Sequence, residues 1–379
     1  MIITMTQTPT SVPEAPADLR ALTALRFIAA MWVAVFAFWP NLDVGALPNI
    51  VAKGYLGVEL FFVLSGFILC HVYLAPYGEK RFSYKGFLWA RIARVYPLHI
   101  ATLLGVGALA FAALAAGMSV DGNILSWASL PANLTMMHAW GLAPEAGWNH
   151  PSWSISAEWF AYLSFPAFAV IAWSLRQRPL VAIAGAITLL VVLYAAFEPL
   201  AGFPLTQATI AWGALRIVPC FALGCALYLL FRRAPLKTPM LGAFAAVMLI
   251  AISATLTLPD AVTVTLFGLL ILSLASLAND KAGWLASRPA VYLGEISYSV
   301  YMVVVPWKLL AVNVAARLTD AGPEKTLPLL VWLGVMAGLP VVAAVSYHLV
   351  EYPARRMLRN MGRRSGTRAK TRQTAQPAI

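Results

Sequence analysis

Charged side chains are scarce in this chain of 379 residues: Asp, Glu, Lys and Arg together make up 11%, under half of the ~25% usual in soluble domains. With so few charges to solvate a surface, a water-soluble globule is excluded. Cysteine is as sparse. Cys70, Cys220 and Cys225 all sit in apolar runs, and Cys220 and Cys225 are five apart on one helix, which points them to different faces. No disulfide framework or zinc site follows, and no metal is expected. Residues 1–19 (MIITMTQTPTSVPEAPADL) are polar and rich in Pro and Thr. They lack the basic start, short apolar core and small-residue cleavage site of a secretory leader, and are expected to be a disordered cytoplasmic segment. The internal repeat that many secondary transporters carry is missing too.

What the chain has instead is hydrophobic length. Hydrophobic residues make up 61%, and apolar stretches of roughly 17–25 residues mark membrane helices. Ten are predicted, at about 22–40, 54–74, 91–116, 154–173, 180–197, 214–231, 240–257, 261–278, 289–311 and 327–350. The expected fold is an all-α, polytopic, ten-helix membrane domain over 20–353, followed by a basic cytoplasmic tail over 354–379. Residues 117–153 join the third and fourth spans without a single Lys or Arg, and their apolar piece WASLPANLTMMHAWG reads as an interfacial or re-entrant segment.

Basic residues cluster in alternate loops: Lys80, Arg81 and Lys85; Arg176 and Arg178; Arg232, Arg233 and Lys237; Lys281 and Arg288; then the tail. Only Lys53, Arg216, Lys308, Arg317 and Lys325 of the 27 basic residues fall on the other side, so both termini are expected in the cytoplasm. The formal net charge of +12 therefore reads as an orientation signal that also attracts anionic lipid, not as a nucleic-acid arm.

Ionisable residues in or beside hydrocarbon cost several kcal/mol at the centre and need a reason to be there. Arg26 is placed at the inner end of the first span. Arg91 and Arg94 are placed at the inner end of the third, spaced i and i+3 and so neighbours on one surface. Three guanidinium groups there can bind the phosphates of an anionic cofactor or snorkel to lipid phosphate, and the residues alone leave both readings open. At the outer entry to the fourth span, Ser156 reads either as a helix N-cap with Glu158 as a first-turn acid, or the pair joins His150 in a polar site facing the outer half of the bundle. Glu59, among the glycines at 54, 57 and 66, is expected inside the bundle.

Seven stretches stand in order along residues 19–360: LRALTALRFIAAMWVAVF, GYLGVELFFVLSGFIL, RIARVYP, PSWSISAEWFAYLSFP, RIVPCFALGCALY, LGEISYSVYMVVVPW and LVEYPARR. Together they resemble membrane acyltransferase family 3, bacterial O-acyltransferases that move acetyl or other acyl groups onto glycans, lipids or antibiotics. The resemblance implies an inner-membrane enzyme, an acyl-CoA donor taken from the cytoplasm over Arg26, Arg91 and Arg94, and a hydroxyl acceptor such as a glycan or lipid-linked saccharide. Ser156, Glu158 and Arg216 would shape the outer approach, with Glu59 and His150 on the acceptor side.

The family also implies an arginine followed eleven residues later by a histidine on the first helix. Arg26 matches the arginine; the eleventh residue beyond it is Ala37. That position is ~16 Å further along the helix, on the same face, and is expected near the midplane. An imidazole there would act as general base on the acceptor hydroxyl or carry the acyl group itself, and alanine does neither. Val304 also stands where many relatives have histidine. Ala37 leaves three readings: an engineered substitution, a natural silent relative, or an enzyme with another base, for which His99 is the first histidine to examine. A transporter or flippase of an acylated molecule is the rival from another class.

Overall fold

Backbone N–H and C=O groups find no water in hydrocarbon, so a membrane-crossing run must satisfy them internally, as a helix does. Each of the ten predicted runs is helical in the computed structural model, which describes residues 18–361 and contains no strand among them. In chain order the longer helices are α1 (Arg20–Phe38), α2 (Gly57–Gly78), α3 (Tyr84–Ala115), α4 (Trp153–Leu163), α5 (Phe165–Leu175), α6 (Pro179–Ala201), α7 (Gly213–Arg233), α8 (Pro239–Thr255), α9 (Asp260–Ser276), α10 (Arg288–Glu295), α11 (Ser297–Leu318) and α12 (Leu329–Ser346). Seven helical stretches are long and apolar enough to cross a membrane, and the pair α4 and α5 makes an eighth if taken as one bent span. The chain is a multi-pass membrane protein. α8 and α9, at 17 residues each, are shorter apolar helices.

The departures from the predicted runs have local causes. α3 starts at Tyr84, not 91, because Ser83 caps it, its Oγ accepting from Gly86 N at 3.2 Å. Arg91 and Arg94 are therefore the eighth and eleventh residues of the helix and do not open it. The fourth run is bent by 58° between α4 and α5. Pro166 lacks the N–H that would reach Tyr162 O and its ring crowds that carbonyl, while Ser164 Oγ donates to Phe160 O at 2.7 Å in the break. The ninth run is divided at Ile296 into α10 and α11. Beyond α12, one π-turn (Tyr347–Glu351) carries the helix on to Met361, so the basic tail begins as helix. The expected disordered segment 1–19, but for its last two residues, and the tail beyond Met361 lie outside the described residues.

The centre of the bundle is the crossing of α2 and α7. A Cβ on Gly66 would overlap Phe221 O, and one on Gly224 would overlap Val63 O. The two backbones touch, as small residues permit in membranes. Phe67, Phe221 and Leu223 are buried around the crossing, whereas Leu180, Leu241 and Leu330 stand exposed on the flanking helices, where lipid would cover them. The connector is tucked into the bundle. His99 Nε2 on α3 bonds Asn133 O at 2.8 Å, Trp148 Nε1 donates to Ser126 O at 2.8 Å, and Ser156 Oγ on α4 accepts from Ala139 N at 2.9 Å.

Because no side chain fits at the crossing, Gly224→Val should cost at least about 2 kcal/mol of stability by overpacking, lowering the melting temperature in detergent by about 2–3 °C or more. Gly185→Val, on α6 with open space around its Cα, should leave it within a degree. Equal melting temperatures for the two variants would contradict the backbone contact.

Candidate active site

Two cavities lie along the bundle. The first, about 320 Å³, is enclosed by α1, α2, α3, α4 and α11 and holds Arg26, Arg91, Arg94 and Glu158. Arg26 is the seventh residue of α1. Arg91 lies against the rings of Tyr73, Phe87 and Tyr162 at 5.7–6.0 Å, with Nη2 donating to Tyr73 OH at 3.3 Å. Its Nε is buried with no acceptor among the described residues. Glu158 Oε1 accepts from Ser65 Oγ at 2.7 Å. None of the four ion pairs among the described residues involves a guanidinium of this cavity; Asp18, which also lines it, is paired with Arg20. Three cations facing Glu158 and an Asp18 already paired with Arg20, with a buried guanidinium nitrogen still seeking an acceptor, suit an anionic guest.

Glu158 was expected on the outer side beside His150. Its place among the arginines follows from α4 starting at Trp153: five residues further on, Glu158 is one turn beyond Ser154, on the same face, and both line the arginine cavity. Ser156 is no N-cap. It is fully buried with its Oγ taken by Ala139 N, and it lines neither cavity.

The second cavity, about 560 Å³, lies toward the opposite ends of α1, α2 and α11, beside the start of α7, and holds Ala37, His150, Arg216, Val304 and Lys308. Arg216 donates through Nε to Glu59 Oε1 at 2.5 Å and through Nη1 to Ala208 O at 2.8 Å, and rests 4.5 Å over the Trp153 ring. Glu59 is inside the bundle as expected but is sealed behind this pair and does not line the cavity. Ala37 is the penultimate residue of α1, so it sits toward the end of the span, beyond the midplane position expected of it. Lys308 Nζ donates to Ala37 O at 2.6 Å. The sequence counts Lys308 only among the outer-side charges; the lone lysine in VVVPWKLL was the signal for its place here.

Val58 and Tyr301 line both cavities and form the wall between them. Tyr301 OH donates to Pro151 O at 3.0 Å and accepts from Ser154 Oγ at 3.0 Å. His99 lies off this axis: it is buried, lines neither cavity, and stacks on His138 at 6.0 Å. Burial holds the His138 imidazole down at about 3. The histidine open to the second cavity is His150.

The family model described as an acyltransferase domain (Acyl_transf_3) matches residues 19–350. The chain is 31% identical over 320 residues to acyltransferase MdmB of Streptomyces mycarofaciens, covering 77% of this chain and 79% of that one. A stretch of 52 residues is 48% identical to protein 2 in the picA locus of Rhizobium radiobacter, covering 14% of this chain and 27% of that protein. No solved structure matches.

Proposed function

The chain belongs to this acyltransferase family, and on that premise we propose that it is an O-acyltransferase of the bacterial inner membrane, moving an acyl group, acetyl foremost, from acyl-CoA to a hydroxyl of a glycan, lipid or other envelope acceptor. The observation that carries the reading is the shared wall of Val58 and Tyr301: an arginine-lined cavity and a second cavity holding the helix-one position meet there. Arg26, Arg91 and Arg94 would take the phosphates of CoA, and the pantetheine arm would bring the thioester to the wall. The acceptor would enter from the second cavity. A base there takes the hydroxyl proton as the oxygen bonds the acyl carbon, the C–S bond breaks, and the CoA thiolate leaves to be protonated.

The topology proposed with this reaction is ten spans with both termini in the cytoplasm. α4–α5 counts as one span, α8 and α9 as two short ones, and α10–α11 as one. The arginine cavity then opens at the end where the basic loops cluster, since Arg26 lies in the first half of α1 and His71 and Val72 in the last turns of α2. With single cysteines at Gly122 and Gly366 in a cysteine-free background, an impermeant maleimide added to intact cells should label position 122 and spare 366. The reverse pattern overturns the orientation.

Ala37 supplies no base, so transfer by the chain as written is slow. A positioned general base is worth about 10² to 10⁴ in rate, and Ala37→His should recover a gain of that order in acetyl-CoA-dependent thiol release from reconstituted protein given a membrane extract. One observation favours a second reading: His150 opens into the same cavity as Ala37. If the unaltered chain already matches the Ala37→His variant and His150→Ala abolishes the activity, His150 is the base. If neither protein releases thiol while both bind CoA, the silent-relative reading stands and the proposed transfer falls.

A further inference from the structure

A third cavity, about 550 Å³, lies away from the other two, between the end of α2, the end of α5 and the end of α7. It is lined by Leu74, Trp173, Arg176, Gln177, Arg232 and Arg233 among others, and by no acidic side chain among the described residues. Its construction is specific. Gly78 leaves room for the Trp173 ring, which a Cβ at position 78 would overlap. Trp173 in turn supports Arg176, whose guanidinium lies 4.4 Å over the ring with Nη1 donating to Trp173 O at 2.6 Å. Arg233 is fixed by one nitrogen, Nη1, which donates to Gln177 O and Oε1 at 2.8 and 2.9 Å. Both arginines are thus held in place by neutral acceptors, and none of the ion pairs among the described residues involves either.

We infer that this cavity binds the phosphodiester headgroup of an anionic phospholipid. The cations are grouped with apolar surface from Ala75 and Trp173 at the end of the bundle where α2 leaves the membrane, the depth at which a headgroup phosphate and the first methylenes of its chains sit together. Guanidinium groups read phosphate through paired N–H donors, and basic pockets between membrane helices are suited to such headgroups. A soluble anion would use the charges and leave the apolar lining without a purpose. The site is separate from the acyl-donor reading and stands whether or not the chain transfers acyl groups.

The test is native mass spectrometry of the full chain in detergent with equal amounts of phosphatidylglycerol and phosphatidylcholine of matched acyl chains. The unaltered protein should retain phosphatidylglycerol about tenfold over phosphatidylcholine. The double variant Arg176→Gln, Arg233→Gln should bring that ratio near one, and Lys281→Gln with Arg288→Gln, in a neighbouring basic loop, should leave it high. Should the double variant not fold, Arg176→Gln alone is read, with a loss of about threefold. No preference in the unaltered protein, or the same loss in the loop variant, overturns the site. Displacement of phosphatidylglycerol by inorganic phosphate at equal concentration would assign the cavity to a soluble anion and overturn the lipid.

Discussion

A guanidinium carried into a helix bundle keeps its charge, and every other feature of this protein is arranged around how that charge is met. At the end of the bundle that holds Ala37, Arg216 is met within the chain: Glu59 lies at 2.5 Å and both side chains are fully enclosed. A buried pair of this kind is weak evidence of net stabilisation, but removing either partner would leave an uncompensated ion. At the arginine end, Arg26, Arg91 and Arg94 share a cavity with Glu158 and form no ion pair among the described residues. The Arg216 charge is met by a carboxylate and the three arginines are left open to an anion, which gives the molecule a direction.

The scaffold turns that asymmetry into a path. Direct contact between the α2 and α7 backbones fixes the bundle centre without large side chains, and α2 then contributes Val58 to one end of the wall and Ser65 to the support of Glu158. The opposite side of the wall comes from α11, which starts afresh after Ile296 and so presents Tyr301 to both cavities. Ser154, in the first turn of α4, holds the Tyr301 hydroxyl together with Pro151 O. A bond network between residues about 150 positions apart places the divide between the two cavities.

Much of this was legible in the sequence, for identifiable reasons. Hydrocarbon thickness sets helix length, so each apolar run is helical, and the seven motif stretches led to the family that the comparison shows. The i, i+3 spacing of Arg91 and Arg94 correctly put both on one surface. Their place along the helix was misjudged because Ser83 begins α3 at Tyr84, seven residues before the predicted start at 91. Glu158 was misplaced because its surroundings are set by Ser65, 93 positions away, and by the start of α4, neither of which hydropathy records. The bend at Pro166 and the break at Ile296 interrupt runs of uniform apolarity. The Lys308 contact with Ala37 O joins residues 271 positions apart, and no local pattern announces it.

The central claim is that a donor seated on the three arginines delivers its acyl group to the wall of Val58 and Tyr301. It is tested most directly by photolabelling purified protein with a CoA thioester whose short acyl chain ends in a diazirine, followed by mapping of the labelled residues. The account predicts adducts at Val58, Tyr301 or the adjoining segments 33–37 and 304–308, with loss of about tenfold or more in the Arg91→Glu, Arg94→Glu double variant. Labelling that survives unchanged in the double variant, or that falls instead on residues 173–177 and 228–233, would contradict it.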